Sequence, residues 1–260
     1  MLTEVKALVI RTVDLSEHDK LLTLFTEEMG KITAVANGGR TLKSRYLAAA
    51  QLFCYASFVL YKKGERYWVR EASLIESFFP LRADLSRTAL ASYVCDVAGD
   101  VVEENAPDPE MLSLTLNTLY AAANGAHPLS LVKAAFELRA AAVLGFRPML
   151  DGCMDCGKSD ETLYLDVMNG GLRCADCRAC ASLLPPAEDE DFRTAGIICP
   201  LSPGALAAMR YVVACPSKRL FSFRVEEEDM RLFSAAAEKY LLNQLERGFN
   251  TLDFYKQIAT

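Results

Sequence analysis

Five of the nine cysteines in this 260-residue chain fall between Cys153 and Cys180. Four of them form two C-x2-C pairs, Cys153/Cys156 and Cys174/Cys177, separated by 17 residues. A C-x2-C turn places two sulfurs on one side of a metal, and two such turns complete a tetrahedron at Zn–S of about 2.3 Å. The spacing predicts one structural zinc ion on Cys153, Cys156, Cys174 and Cys177. Free thiols or a redox pair are the alternatives. Four thiolates leave no open coordination position, so the ion is not expected to be catalytic. Cys180 extends the pattern at the same spacing and reads as a spare thiol. Cys54, Cys95, Cys199 and Cys215 lie in apolar contexts and read as core residues.

Other chemistry is sparse. The two histidines, His18 and His127, lie in loops with no nucleophile beside them. No H-x-E precedes the cysteines, as a zinc deaminase needs. G-x-x-x-x-G-K-[ST] and G-x-G-x-x-G are both absent. No catalytic residue is assigned, and the chain is read as a non-enzyme.

Binding residues are easier to find. Net charge is −6, which disfavours a generally basic nucleic-acid binder, but residues 1–80 hold 11 Lys/Arg against 9 Asp/Glu. From Lys31 to Arg45 there are four cations (Lys31, Arg40, Lys43, Arg45) and no acid. A Gly38-Gly39 pair among them lets a loop follow a phosphate backbone. A solvated loop is the alternative. Farther on, alternation puts Arg66, Trp68 and Arg70 on one strand face and Tyr67 and Val69 on the other. If the latter face a core, Trp68 becomes a stacking platform between cations. Otherwise Trp68 packs against a neighbouring domain.

These residues need a scaffold, and hydrophobic periodicity outlines it. Val5–Val13, Leu21–Thr26, Lys31–Ala36, Leu52–Tyr61 and Arg66–Ile75 read as strands, with a short helical candidate at Leu42–Ala50. Five short strands in succession predict a small barrel. Both faces of Leu52–Tyr61 are apolar, as if its outside were covered. After Pro80 the period becomes helical. Asp108-Pro109-Glu110 and Ser202-Pro203 are helix starts, Leu129–Leu144 is apolar nearly all round, and a last long helix closes near Gly248. The acidic run Glu188–Asp191 reads as a solvated linker. The expected fold class is α+β: a five-stranded barrel over 1–80, a helical domain in two parts (81–149 and 183–260), and a four-cysteine module inserted at 150–182. The N-terminus has no apolar signal segment, no stretch suits a membrane span, and the thiols suit a reducing compartment.

The residues also resemble a known family. Val9-Ile10-Arg11-Thr12, Glu17-x-Asp19-Lys20, Leu24-Phe25-Thr26-Glu27-x-x-Gly30-Lys31-Ile32 and Ala36-x-Gly38-x-Arg40 resemble the start of the bacterial recombination mediators of the RecO family. Phe136-Glu137-Leu138-Arg139 through Leu144-Gly145-Phe146-x-Pro148 and Cys153-x-x-Cys156-Gly157 are similar to its central helix and zinc module. Lys239-Tyr240-Leu241 through Phe254 is similar to its last helices. The resemblance implies an OB-fold, a cytoplasmic, nucleoid-associated place in a bacterium, and a role in recombinational repair. It implies binding of single- and double-stranded DNA, annealing of complementary strands, and contacts with RecR and with the C-terminal tail of the single-strand binding protein SSB; RecF is a candidate partner that the sequence leaves open. Gly248-Phe249-Asn250-Thr251 lacks a Lys that the family often carries there. The SSB-tail contact is therefore expected at Arg139 or Arg247. The loop after Gly38 is also poorer in cations than is usual in the family. A zinc-ribbon factor of transcription or translation, or a protein-binding scaffold, is the alternative reading.

Overall fold

A computed structural model describes residues 2–41, 44–159, 162–183 and 196–259, with only the backbone at 181–183. Lys43 and the acidic run Glu188–Asp191 lie outside the described residues.

The first five strands are β1 (Leu2–Asp14), β2 (Lys20–Thr26), β3 (Gly30–Ala36), β4 (Tyr55–Lys63) and β5 (Arg66–Glu76). They close a barrel in the order β1-β2-β3-β5-β4. All pairs are antiparallel except β3 with β5, which meet in parallel only at Ala34↔Tyr67 and Val35↔Trp68. Alternate residues fill the interior, among them Val5, Ala7, Val9, Leu22, Leu24, Ile32, Phe58 and Leu60. β1 is also buried on its outer face, at Leu8 and Ile10. The helix α1 (Leu85–Val101) covers it there: a Cβ added at Gly99 would stand 3.3 Å from the Ile10 side chain. The strand covered most completely on both faces is thus β1, while the outer residues of β4 are half-buried. Arg45–Ala50 forms turns and not the expected helix. Before β4, Cys54 and Phe53 bond to Val9 instead of continuing the ladder with β5.

Helix α2 (Pro109–Asn124) starts as its sequence predicts, with the Asp108 carboxylate accepting the Met111 N–H at 2.9 Å. The last helix, α7 (Asn250–Ile258), packs on α1. There Phe249 meets Tyr93 edge-on at 5.8 Å between ring centroids, and the Thr251 hydroxyl donates to Asp96.

The remaining elements are α3 (Leu129–Val143), β6 (Met149–Cys153), β7 (Leu163–Asp166), β8 (Gly171–Cys174), α4 (Ala175–Leu183), β9 (Ile198–Pro200), α5 (Pro203–Ala214) and α6 (Glu227–Gln244). β6 to β9 form one sheet in the order β6-β8-β7-β9. Helices α3 and α6 pack together and bury an ion triad. Lys133 Nζ lies 2.9 Å from Glu137 and 2.7 Å from Glu238, and Lys133 and Glu137 are almost wholly removed from solvent. Burial opposes the Lys133 charge, but the two carboxylates overcome this and hold its pKa above the usual lysine value.

Packing divides the chain differently from its linear order. Residues 1–126 and 249–260 form one compact unit, and residues 127–248 form the other. The helices therefore do not make one bundle. α1, α2 and α7 join the barrel, while α3, α5 and α6 join the cysteine sheet.

Candidate metal centre and nucleic-acid interface

Two strands, a turn and a helix bring the four cysteines together. Cys153 ends β6, Cys156 follows in a turn, Cys174 ends β8, and Cys177 lies in the first turn of α4. The β7–β8 hairpin closes the loop between the two pairs, through a turn in which Asp166 accepts the backbone and side-chain N–H groups of Asn169. Arg173 forms an ion pair with the same Asp166 at 3.3 Å. The Arg178 guanidinium lies 4.0 Å over the Tyr164 ring and holds α4 against β7.

The four Sγ atoms lie within 4.8 Å of one another, and Cys156 and Cys174 are 3.7 Å apart. A regular tetrahedron of Zn–S bonds near 2.3 Å has S···S edges of about 3.8 Å. Backbone N–H groups point at the sulfurs, from Cys174 to Cys153 at 3.3 Å and from Cys177 to Cys174 at 3.5 Å. Such donors favour thiolates. Burial opposes ionisation of Cys153, but N–H groups of Cys174, Cys156 and Asp155 together bring its thiol down to about 6. The pKa of Cys177 is pushed up by its hydrogen bonds to Cys174 and Cys156. Four sulfurs this close cannot all ionise without a cation between them, so the donor set fits a metal ion that prefers thiolates. Cys180, exposed on α4, is outside this cluster.

The basic loop after β3 is built against the β1–β2 loop. Gly38 N–H donates to the Asp19 carboxylate at 2.8 Å, and Arg40 N–H donates to the His18 carbonyl. The Arg40 guanidinium donates to the Ser16 carbonyl at 2.8 Å and lies 3.4 Å from Asp14. The Tyr46 hydroxyl donates to the Asn37 carbonyl. Arg45 is exposed and has no ion pair with a described residue.

Lys31 is placed differently from the other cations. Its ammonium donates to the Gly99 carbonyl at 2.6 Å, in the last turn of α1, where helix carbonyls lack partners. Its backbone joins Glu103 and Asn105 in the α1–α2 connection. Gly30, at φ +61°, approaches that connection so closely that a Cβ would meet the Ala106 carbonyl oxygen at 2.0 Å.

β5 breaks the expected alternation. Leu60 pairs with Val69 and Val59 with Glu71, so a bulge leaves Arg70 unmatched. Arg66 and Arg70 are exposed, and Trp68 is half-buried with its indole N–H shielded and without a partner. Tyr67 is half-buried as well. It lines a groove of about 430 Å³ with Leu21, Lys31, Lys62, Arg66 and Asn105. The Lys62 ammonium sits 5.7 Å over its ring. Sequence reasoning missed Tyr67 because it also packs on the barrel interior.

In the second unit, Arg139 on α3 donates to the Cys215 carbonyl at 2.6 Å. Cys215 precedes a short 3-10 helix (Ser217–Arg219) and a turn, with exposed Lys218, Arg219 and Arg224 and half-buried Phe221 and Phe223. The run Lys218-Arg219-Leu220-Phe221-Ser222-Phe223-Arg224 was visible in the sequence as cations and aromatics without an acid. Arg247 is exposed beyond α6.

Comparison with known proteins agrees with this geometry. Residues 1–78 match the family profile described as recombination protein O N terminal, and residues 82–253 match recombination protein O C terminal. The chain belongs to the RecO family. Among its RecO-family relatives is the DNA repair protein RecO of Acetivibrio thermocellus, 33% identical over 96% of this chain and 95% of that protein. The DNA repair protein RecO of Symbiobacterium thermophilum is 31% identical over 97% and 96%. That of Alkaliphilus metalliredigens is 28% identical over 99% and 100%. In this RecO-family chain, no described helix is long and apolar enough to cross a membrane.

Proposed function

We propose that the chain is a non-enzymatic recombination mediator. It binds single- and double-stranded DNA, anneals complementary strands and, with RecR, helps load recombinase on DNA coated by SSB. The observation that carries this reading is the anchored basic loop beside the β3–β5 groove, in a chain of the RecO family. Arg40, Lys43 and Arg45 neutralise phosphates, so that two strands approach, and Arg66 and Arg70 extend that field along β5. Lys31 supports the groove from its bond to α1. Trp68 is half-buried and pairs across the strands with Val35, which lines the groove, and it is the second aromatic available for stacking. Arg139, fixed against Cys215, and the cations of Lys218–Arg224 suit the acidic tail of SSB, with Arg247 as a second candidate. The chain acts in the cytoplasm at the nucleoid, and RecF is a further partner.

The metal is one Zn2+ on Cys153, Cys156, Cys174 and Cys177. When bound it supplies charge balance for four thiolates and a crosslink between β6, β8 and α4. The cysteines hold the fold and perform no chemistry on DNA.

The test is annealing of SSB-coated fluorescent strands across a salt series. Binding should fall by roughly 0.7 log unit per log unit of salt for each single-strand phosphate contact. Replacing Arg40, Lys43 and Arg45 by Glu should abolish annealing while the circular dichroism spectrum is unchanged. Annealing retained in that variant removes the loop from the reading.

A further inference from the structure

The β3–β5 groove carries charges of both signs. Lys62 and Arg66 line it, and so do Glu65 and Glu104. Glu104 and Asn105 belong to the α1–α2 connection, outside the barrel. Bridges from Glu104 to Gly30 and Lys31, and the bond from Asn105 N–H to the Lys31 carbonyl, fix that connection as the far wall. Lys31 itself is committed to Gly99 and does not offer its charge to a ligand.

A phosphate inside this groove would lie beside two carboxylates. An unpaired base would not be repelled, and its exocyclic amino group could donate to them. Glutamate is an acceptor suited to cytosine N4, whereas thymine presents a carbonyl at that position. The Tyr67 face is the stacking surface. Lys62 covers it, but only loosely, because its pairing with Glu65 spans 4.0 Å on an exposed hairpin. A base displacing Lys62 frees an ammonium for the adjoining phosphate. The groove volume of about 430 Å³ lies within the usual range for ligand sites, ~300–1,000 Å³.

We propose that this groove reads unpaired bases, with phosphates kept outside on Lys62 and Arg66, and that Glu104 and Glu65 make it prefer amino-bearing bases to thymine. The inference rests on the DNA-binding reading above and adds a base preference to it.

The experiment is fluorescence anisotropy of the full chain with oligo-dC and oligo-dT of one length at one salt concentration. Both are pyrimidine strands, so stacking and charge are matched. The chain should bind oligo-dC more tightly by roughly fivefold to tenfold, the discrimination of one good base contact. Glu104→Gln should reduce that ratio toward one while oligo-dT binding holds or strengthens. Glu65→Gln, on an exposed hairpin, should act in the same direction and guards against misfolding of the first variant. Equal binding of both strands by the unaltered chain, or a ratio untouched in both variants, overturns the base preference and leaves the DNA-binding reading standing. No binding of either strand at low salt overturns that reading itself.

Discussion

The four thiols and the buried Lys133 are the residues on which single substitutions should act most strongly. Cys153→Ser should abolish stoichiometric metal binding, because three sulfurs leave the tetrahedron open. Cys180→Ser should leave the metal content intact, and mass spectrometry under native conditions distinguishes the two. Lys133→Met should cost about 3–5 kcal/mol in urea unfolding, since Glu137 would remain buried, and Glu238 partly buried, without the cation between them. The native pKa of Lys133 is raised, so the native state holds this proton more tightly than the unfolded chain. Its stabilisation is therefore complete below about pH 10, the ordinary lysine range, and is lost as pH rises through the native value. Of these residues, the cysteines were legible from spacing alone. The bond from Lys31 to Gly99 was not, because it joins positions 68 residues apart and a lysine carries no sign of its acceptor.

Among elements, the β2–β3 turn is the least replaceable. Gly30→Ala meets both a positive φ and the Ala106 carbonyl, and should destabilise the chain by at least ~2 kcal/mol. Gly64→Ala, in the β4–β5 hairpin, shares the positive φ but meets no atom within 4 Å, and should cost about 1 kcal/mol. Thermal unfolding of the two variants checks the contrast. The strands were readable because their interior positions alternate and glycines punctuate them. The bulge at Arg70 was not, since one extra residue leaves no trace in composition yet moves every later side chain to the other face. β9 has only three residues, too few for any period to be seen.

For the whole molecule, all four candidate metal ligands belong to the second unit. Chelation should therefore speed amide hydrogen exchange in β6 to β8 and α4 while the barrel strands keep their protection. Uniform loss of protection would mean that the units unfold together. Contacts between distant segments drew the boundary of these units, which explains why linear reading placed all the helices in one bundle.

The first unit includes both ends of the described chain, with Leu252 and Tyr255 of α7 buried in it. On the ribosome, the barrel and α1 emerge early, but the helix that completes them is made only after residues 127–248. The 122 intervening residues, 127–248, take roughly 6–24 s at bacterial elongation rates. Throughout that interval, Tyr93 lacks its Phe249 neighbour, and the face of α1 on which α7 packs is left without that cover.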